Sequence, residues 1–281
     1  MSLPYFLGCP QWQDPHWNTQ LPPGSSALSR YARAFNCVEG NTTFYATPSA
    51  SQCEQWRTQV PDDFRFLFKL PRLITHDQHL SGAEAETRAF VELLKPLDDV
   101  LGPILLQLPA SFGPRQLGQL WRFLDSAPAH LNWSVEVRHP AFFSKGDEER
   151  ALNRELRARS LARVCLDSRG LFAAIPDTEE ILDAQRKKPR VPVHILPTDA
   201  PPVIRYIGHP NLDENDRFLQ PWVERVAAWV RGGIQPYVFM HMPDNRYAVA
   251  LASRWTELLQ AQLPELPPLP VDIATPQLGL F

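Results

Sequence analysis

Glycine is scarce in this chain, 13 residues in 281, and none of them spells a phosphate-binding loop. No G-x-G-x-x-G follows the first apolar segment, which removes the usual dinucleotide fingerprint, and the absence of G-x-x-x-x-G-K-[ST] argues against a nucleotide triphosphatase. G-x-S-x-G is also missing, and with it the simplest serine-hydrolase reading. There are four cysteines, Cys9, Cys37, Cys53 and Cys165, with no C-x-x-C pair. They read as reduced, buried thiols of a cytoplasmic protein, since secreted frameworks carry denser, patterned cysteines. No apolar run approaches the ~20 residues a membrane helix needs. The opening MSLPYFLGCPQW has no basic region ahead of its short apolar run, so a secretory leader and a membrane partner are not expected. An excess of positive charge is absent too: 28 Lys and Arg against 31 Asp and Glu leave a net charge of −3. Any contact with nucleic acid would have to come from a local patch.

What is present is a repeated alternation. Eight short apolar runs, YFLGC, NCVEGN, RFLFK, PILLQLP, WSVEVRH, ARVCLD, VIRYIG and YVFMHMP, have strand length and end in turn residues or a change of pattern. Amphipathic segments follow them. Leu117, Leu120, Trp121 and Leu124 form one helical stripe, and Phe218, Trp222, Val226 and Trp229 form another. Pro114 and Pro221 fit first-turn positions of helices or helix segments. Eight strand–helix units predict a single (β/α)8 TIM barrel over residues 1–263, with an open doubly wound sheet as the alternative. Residues 264–281 form a proline-rich tail, and PRVPVHILPTDAPP before the seventh strand reads as an irregular excursion.

Active sites of such barrels lie at the C-terminal ends of the strands. Those ends are unusually polar here. The first leads to Trp12; the second carries Glu39 and Asn41, then Tyr45; the third ends in Lys69, with His76 beyond. The fourth ends in Gln107, the fifth carries Glu136 and Arg138, the sixth ends in Asp167, the seventh holds Arg205, and the eighth ends in His241, with Asn245 following. Strand alternation turns Val38, Val135 and Val137 toward the helices and therefore Glu39, Glu136 and Arg138 inward. The competing reading is a satisfied ion network, such as Glu39–Arg138 or Asp167–Arg205, that fixes register and catalyses nothing.

The segments GCPQW, FNCVEGNTTFYATP, DDFRFLFKLPRLITH, LGPILLQLPASFGP, VEVRHPAFF and LDSR resemble the successive signatures of the YecE-like family, a TIM-barrel domain of unknown function. The resemblance runs over essentially the whole chain. It implies the barrel, and it brings no reaction, cofactor or catalytic residue with it.

The residues themselves suggest a hydrolase or lyase acting on a polar, anionic small molecule or nucleic-acid fragment. Lys69, Arg138 and Arg205 would supply positive charge for phosphate or carboxylate. Glu39 and Glu136 are the candidate general acid and base, Asp167 is a third carboxylate, and His241 is a proton shuttle. Trp12 and Tyr45 would form a stacking wall, although Trp12 reads equally well as a packing aromatic. Asn41, His76, Gln107 and Asn245 complete the candidate binding set. No cofactor is expected. A divalent metal on Glu39, Glu136, Asp167 and His241 is the alternative, weakened by Arg138 and by the lack of H-E-x-x-H or a strand H-x-H. Placed on the second and fifth strands, Glu39 and Glu136 are expected to face each other across the mouth, which disfavours a retaining glycosidase. QRKKPR at a helix end reads as a solvated cationic terminus.

The chain closes on PQLGLF. Gln277, Leu278, Leu280 and Phe281 match the short peptide by which bacterial replication and repair proteins dock on the DNA polymerase sliding clamp, here behind a proline-rich spacer. A non-catalytic barrel adaptor or ligand sensor tethered to that clamp is the alternative to an enzyme, and a tail folded back on the barrel is the alternative to docking.

Overall fold

The protein is described from a computed structural model covering residues 3–196 and 198–273. The strands are β1 (Phe6–Gly8), β2 (Cys37–Gly40), β3 (Arg65–Phe68), β4 (Ile104–Gln107), β5 (Trp133–Glu136), β6 (Ala162–Arg163), β7 (Cys165–Asp167), β8 (Val203–Ile207) and β9 (Tyr237–His241). All eight apolar runs contain strand, and ARVCLD supplies two pieces, β6 and β7, separated by Val164. Every pairing is parallel. The strands form an α/β fold with three sheets, ordered β1-β9-β8-β7, β2-β3 and β4-β5-β6.

Single backbone contacts run between these sheets. The Glu39 N–H donates to Cys9 O at 3.0 Å between the β1 and β2 segments. Phe66 and Leu101, and Lys69 and Leu105, make isolated parallel bridges between the β3 and β4 segments. The Val164 N–H, in the gap between β6 and β7, donates to Val135 O at 2.9 Å.

Helices alternate with the strands: α1 (Ala27–Tyr31), α2 (Ala50–Arg57), α3 (Glu84–Leu94), α4 (Leu117–Ser126), α5 (Asp147–Ala158), α6 (Arg169–Ala173), α7 (Glu179–Lys187), α8 (Asp216–Arg231) and α9 (Ala248–Gln260). Ser49 caps α2 through a reciprocal box with Gln52, and Ser26 and Thr178 cap α1 and α7. Pro114 opens a 3-10 turn just ahead of α4, as its position predicts. Pro221 differs: it lies inside α8, because the helix already starts at Asp216 and runs through the residue despite the missing donor. No helix of the described residues is long and apolar enough to cross a membrane.

Side-chain parity sorts the buried apolar residues of most strands onto two faces. Val38, Phe66, Ile104, Val135 and Val238 join the large core with the helices. Cys37, Leu67, Leu105, Ala162, Val164, Val203 and Phe239 form a separate, smaller cluster. Two residues beyond several of these, on the same strand face, stand Glu39, Lys69, Gln107, Arg205 and His241. The polar layer is therefore stacked directly on the small apolar one.

All four cysteines are buried and free. The excursion 189–202 has no regular structure among its described residues, and it is pinned where His194 Nδ1 meets Glu149 Oε1 at 2.5 Å. The first part of the proline-rich segment lies along the body. Leu266 is buried, Leu269, Val271 and Ile273 pack on the main core, and the Asp272 N–H donates to Gln20 O at 2.8 Å. Gln277, Leu278, Leu280 and Phe281 lie outside the described residues.

Candidate functional site

The centre of the polar layer is Arg205 on β8, fully buried. Its Nε and Nη2 donate to Glu39 Oε2 and Oε1, both at 2.7 Å, and its Nη1 donates to Glu136 Oε2. One planar guanidinium thus spans two carboxylates, a geometry that a lysine could not reproduce. Arg138 closes on Glu136 Oε1 from Nε and Nη2, each at 2.8 Å. Lys69 Nζ stands 3.3 Å from Glu39 Oε1, and His241 Nε2 is 3.0 Å from Glu39 Oε2. Among the ion pairs anticipated from sequence, Arg205 takes Glu39 and Glu136 in place of Asp167, and Arg138 takes Glu136 in place of Glu39. The two glutamates are held around one shared cation and do not confront each other across an open mouth.

A cavity of 490 Å³ opens on this layer. Gln107 and His241 line it from the ends of their strands, Lys69 and Arg138 from just beyond β3 and β5, and Asn41, Tyr45, His76 and Asn245 from the segments that follow. Asn41 Nδ2 donates to Pro10 O at 2.8 Å, which ties its loop to the end of the first strand. His76 sits in a π-helical turn, Leu73–Asp77, that is followed by left-handed backbone at His79 and Leu80. Irregular backbone of this kind is a common way to aim a side chain into a site. Tyr45 is 80% exposed at the rim.

Two candidates lie elsewhere. Trp12 packs edge-on against Trp56 and Phe66, at centroid distances of 5.1 and 6.3 Å, and does not line the cavity. Asp167 has the opposite parity to Leu166, the neighbour in register with Arg205. Its carboxylate is held by Arg169 through Nε at 3.0 Å and Nη2 at 2.7 Å, and by Trp222 Nε1 of α8 at 2.8 Å. The four residues of the metal alternative are therefore not gathered, and no group of three His, Cys, Asp or Glu among the described residues converges on a common point.

Other cavity residues were passed over in the sequence. Lys188, just past the end of α7, lines the cavity together with Lys187 and Asp183. The QRKKPR run contains the two lysines but reads as a solvated cationic terminus; only the packing of α7 brings that terminus over the strand ends. Gln11 and Arg72 are rim residues from loops that no pattern marks.

The charges are coupled. Burial favours the neutral Glu39 carboxyl, but Arg205, His241 and Lys69 outweigh it and hold the group well below the usual carboxylate range. Glu136 is buried too, and Arg205 and Arg138 bring it down to about 2. Burial and then Arg205 push the Lys69 ammonium down to about 7, against the pull of Glu39. Burial and Arg205 bring Lys188 to about 8. Burial lowers His241 to about 4 in spite of Glu39, and burial, Arg138 and Arg72 lower His76 to about 4. At neutral pH the two glutamates are fixed anions, the two histidines are neutral, and the two lysines are the groups poised to change charge.

A parallel α/β fold with this polar layer belongs to a class already marked out by sequence: the chain is a member of the protein family of unknown function DUF72, whose model matches residues 6–273. It is 46% identical over 265 residues to the UPF0759 protein YecE of Escherichia coli K12, covering 94% of this chain and 96% of that protein, and equally identical to YecE of Escherichia coli O157:H7. Two crystallised DUF72 proteins share the fold. One from Enterococcus faecalis V583 superposes with a TM-score of 0.67 at 17% identity, over 94% of this chain and 96% of its own. One from Thermotoga maritima MSB8 gives 0.63 at 20% identity, over 91% and 99%.

Proposed function

We propose that the three sheets are arcs of one (β/α)8 ring, completed by the contacts at Cys9, at Leu101 and Leu105, and at Val164, and that the cavity at its strand ends is an enzyme site for a small anionic, polar substrate. The reaction class we infer is hydrolysis or elimination, with phosphoesters, including nucleic-acid fragments, and carboxylates as the candidate substrates. The observation that carries this reading is the charge balance: Arg205, Arg138 and Lys69 pair with Glu39 and Glu136, and Lys188 stands on the wall of the same cavity, four basic groups against two carboxylates. An entering anion would complete the neutralisation. The glutamates are locked in ion pairs, so Lys69 and Lys188 are the residues suited to exchanging protons with substrate, and Arg138 is suited to orienting it. Asp167 serves α8 through Trp222 and Arg169.

Bound anion would raise the affinity of both lysines for protons. Titration calorimetry with inorganic phosphate near pH 7.5, in buffers of different ionisation enthalpy, should therefore show proton uptake, reduced in Lys188→Met. Turnover of phosphomonoesters, phosphodiesters or carboxylate substrates, abolished in Lys69→Met, would establish the enzyme. Absence of any phosphate or carboxylate binding would remove this reading.

The second reading concerns the sequence Gln277–Phe281. We propose residues 1–263 as the barrel and 264–281 as a tail whose terminal QLGLF docks on a sliding clamp, with affinity raised by the clamp's multivalency. In that case the barrel would act as a tethered enzyme or as an adaptor. Equal clamp binding by the full chain and by a chain lacking Gln277–Phe281 would eliminate the docking role.

A further inference from the structure

Lys69 is placed differently from the other cations of the cavity. It emerges from the end of β3 with its side chain almost wholly buried. Among the described residues its one ion pair is to Glu39 Oε1 at 3.3 Å, and Arg205 already holds that oxygen at 2.7 Å. The ammonium is thus the outermost and most loosely held of the groups around Glu39. Its Nζ lies 5.9 Å from the centre of the Phe44 ring, which gives it an apolar flank. Gln107 borders the same cavity with Oε1 buried and without a hydrogen-bond partner, an acceptor awaiting a donor. Arg138 and Lys188 are on the walls.

We propose that Lys69 is an imine-forming amine and that the substrate is an anionic carbonyl compound, a 2-oxo acid or a phosphorylated aldehyde or ketone. This rests on the anion-binding reading above and narrows it to a lyase-type chemistry. The neutral amine adds to the carbonyl carbon: an N–C bond forms, the carbonyl π pair moves to oxygen, and the proton lost by nitrogen ends on that oxygen. The C–O bond of the carbinolamine then breaks. The oxygen leaves as water with a proton from the Lys188 ammonium, while the nitrogen lone pair closes the C=N bond. Amine, carbonyl and one proton become iminium and water, and the new positive charge lies beside Glu39. Burial prepares the first step by holding the Lys69 ammonium near 7, so that much of it is neutral at physiological pH. Arg138 and Lys188 would hold the substrate's carboxylate or phosphate.

The test is reductive trapping on the full chain, with pyruvate in one arm and glycolaldehyde phosphate in the other, each with sodium cyanoborohydride, followed by intact-mass measurement and peptide mapping. The expected result is one adduct per chain at Lys69 in at least one arm, formed about tenfold or more faster than at the exposed Lys95 and Lys145, which lie outside the cavity. The carboxylate and phosphate arms separate the two substrate types. Lys69→Arg should lose the adduct while keeping the melting temperature. No adduct in either arm, or labelling of Lys69 no faster than of Lys95 and Lys145, overturns the proposal. Calorimetric binding of pyruvate or phosphate without trapping would sink the imine and leave the anion site standing; loss of both would sink both.

Discussion

At the scale of single residues, Arg205 holds the polar layer together. It is fully buried, and it satisfies both Glu39 and Glu136. Replacing one member of such a network leaves the others as uncompensated buried charges, which typically costs about 3–5 kcal/mol. Arg205→Met should therefore lower the urea midpoint by far more than a surface Arg→Met change such as Arg115→Met. The same layer sets a pH dependence. Glu39 and Glu136 titrate lower in the folded chain than in the unfolded one, so their contribution is present above the ordinary carboxylate pKa and is lost as pH falls through their folded-state values, for Glu136 about 2. His241 and His76, lowered to about 4, act in the same direction at higher pH: between 6.5 and 4 the unfolded chain takes up protons that the folded chain refuses. Stability should fall in two stages below neutrality, the histidine window first. Chemical denaturation across pH should find the lower stage flattened in Glu136→Gln and the upper one in His241→Asn. A profile unchanged in both variants would contradict these assignments.

At the scale of elements, the strands were legible because period-two alternation and polar ends coincide. SVEVRH fixes the parity of Glu136 and Arg138 by itself, and CVEGN does the same for Glu39. ARVCLD alternates as well, with Ala162, Val164 and Leu166 on one face and Arg163, Cys165 and Asp167 on the other, but here the apolar face shares the side of the polar layer, so the polar face that lines the cavity in SVEVRH instead packs outward, Asp167 on Trp222 and Arg163 on Glu149. The role of α7 was hidden for a different reason. Amphipathic periodicity reports which face of a helix packs, not what its end covers, so Lys188 could not be placed over the strand ends. Trp12 fell between these cases, since a half-buried aromatic after a strand fits either a pocket or a helix interface. The approach of β1 to β2 can be tested directly. A Cβ on Gly8 would lie 2.2 Å from the backbone oxygen of Cys37 and 3.0 Å from its Sγ. A carbonyl fixed between strands cannot yield, so Gly8→Ala must push the two segments apart. We expect a loss of at least about 1–3 kcal/mol, the usual cost of overpacking, with a matching fall in melting temperature. An unaffected variant would mean that the two segments are not locked at this separation.

At the scale of the whole molecule, an acidic chain of net charge −3 carries a cationic layer in its interior, so the global charge says nothing about what the cavity attracts. The proline-rich segment makes a similar point about composition. Prolines in LPELPPLP exclude helix and central strand, which made the segment read as a spacer, yet an extended chain without secondary structure can still pack its apolar side chains. Leu266 is buried, Leu269, Val271 and Ile273 rest on the main core, and Leu269 borders one groove with Leu3 and Phe35. The Asp272 N–H bond to Gln20 O fixes the far end against the segment ahead of α1. This strap joins the end of the described chain to its beginning, and so staples the first and last strand–helix units to each other. Removing it would uncover apolar surface on both. A chain ending at Leu263 should therefore melt well below a chain ending at Ile273, and Leu266→Ala in the longer chain should reproduce part of the loss, about 2–5 kcal/mol for a buried leucine. Phosphate binding measured on the two truncated chains below their melting temperatures should agree, because the strap borders Leu3, Asn36 and Pro61, which precede their strands, whereas Lys69 and Arg138 follow theirs. Equal melting temperatures would show that residues 264–273 contribute no stability, and the staple would then have to be abandoned.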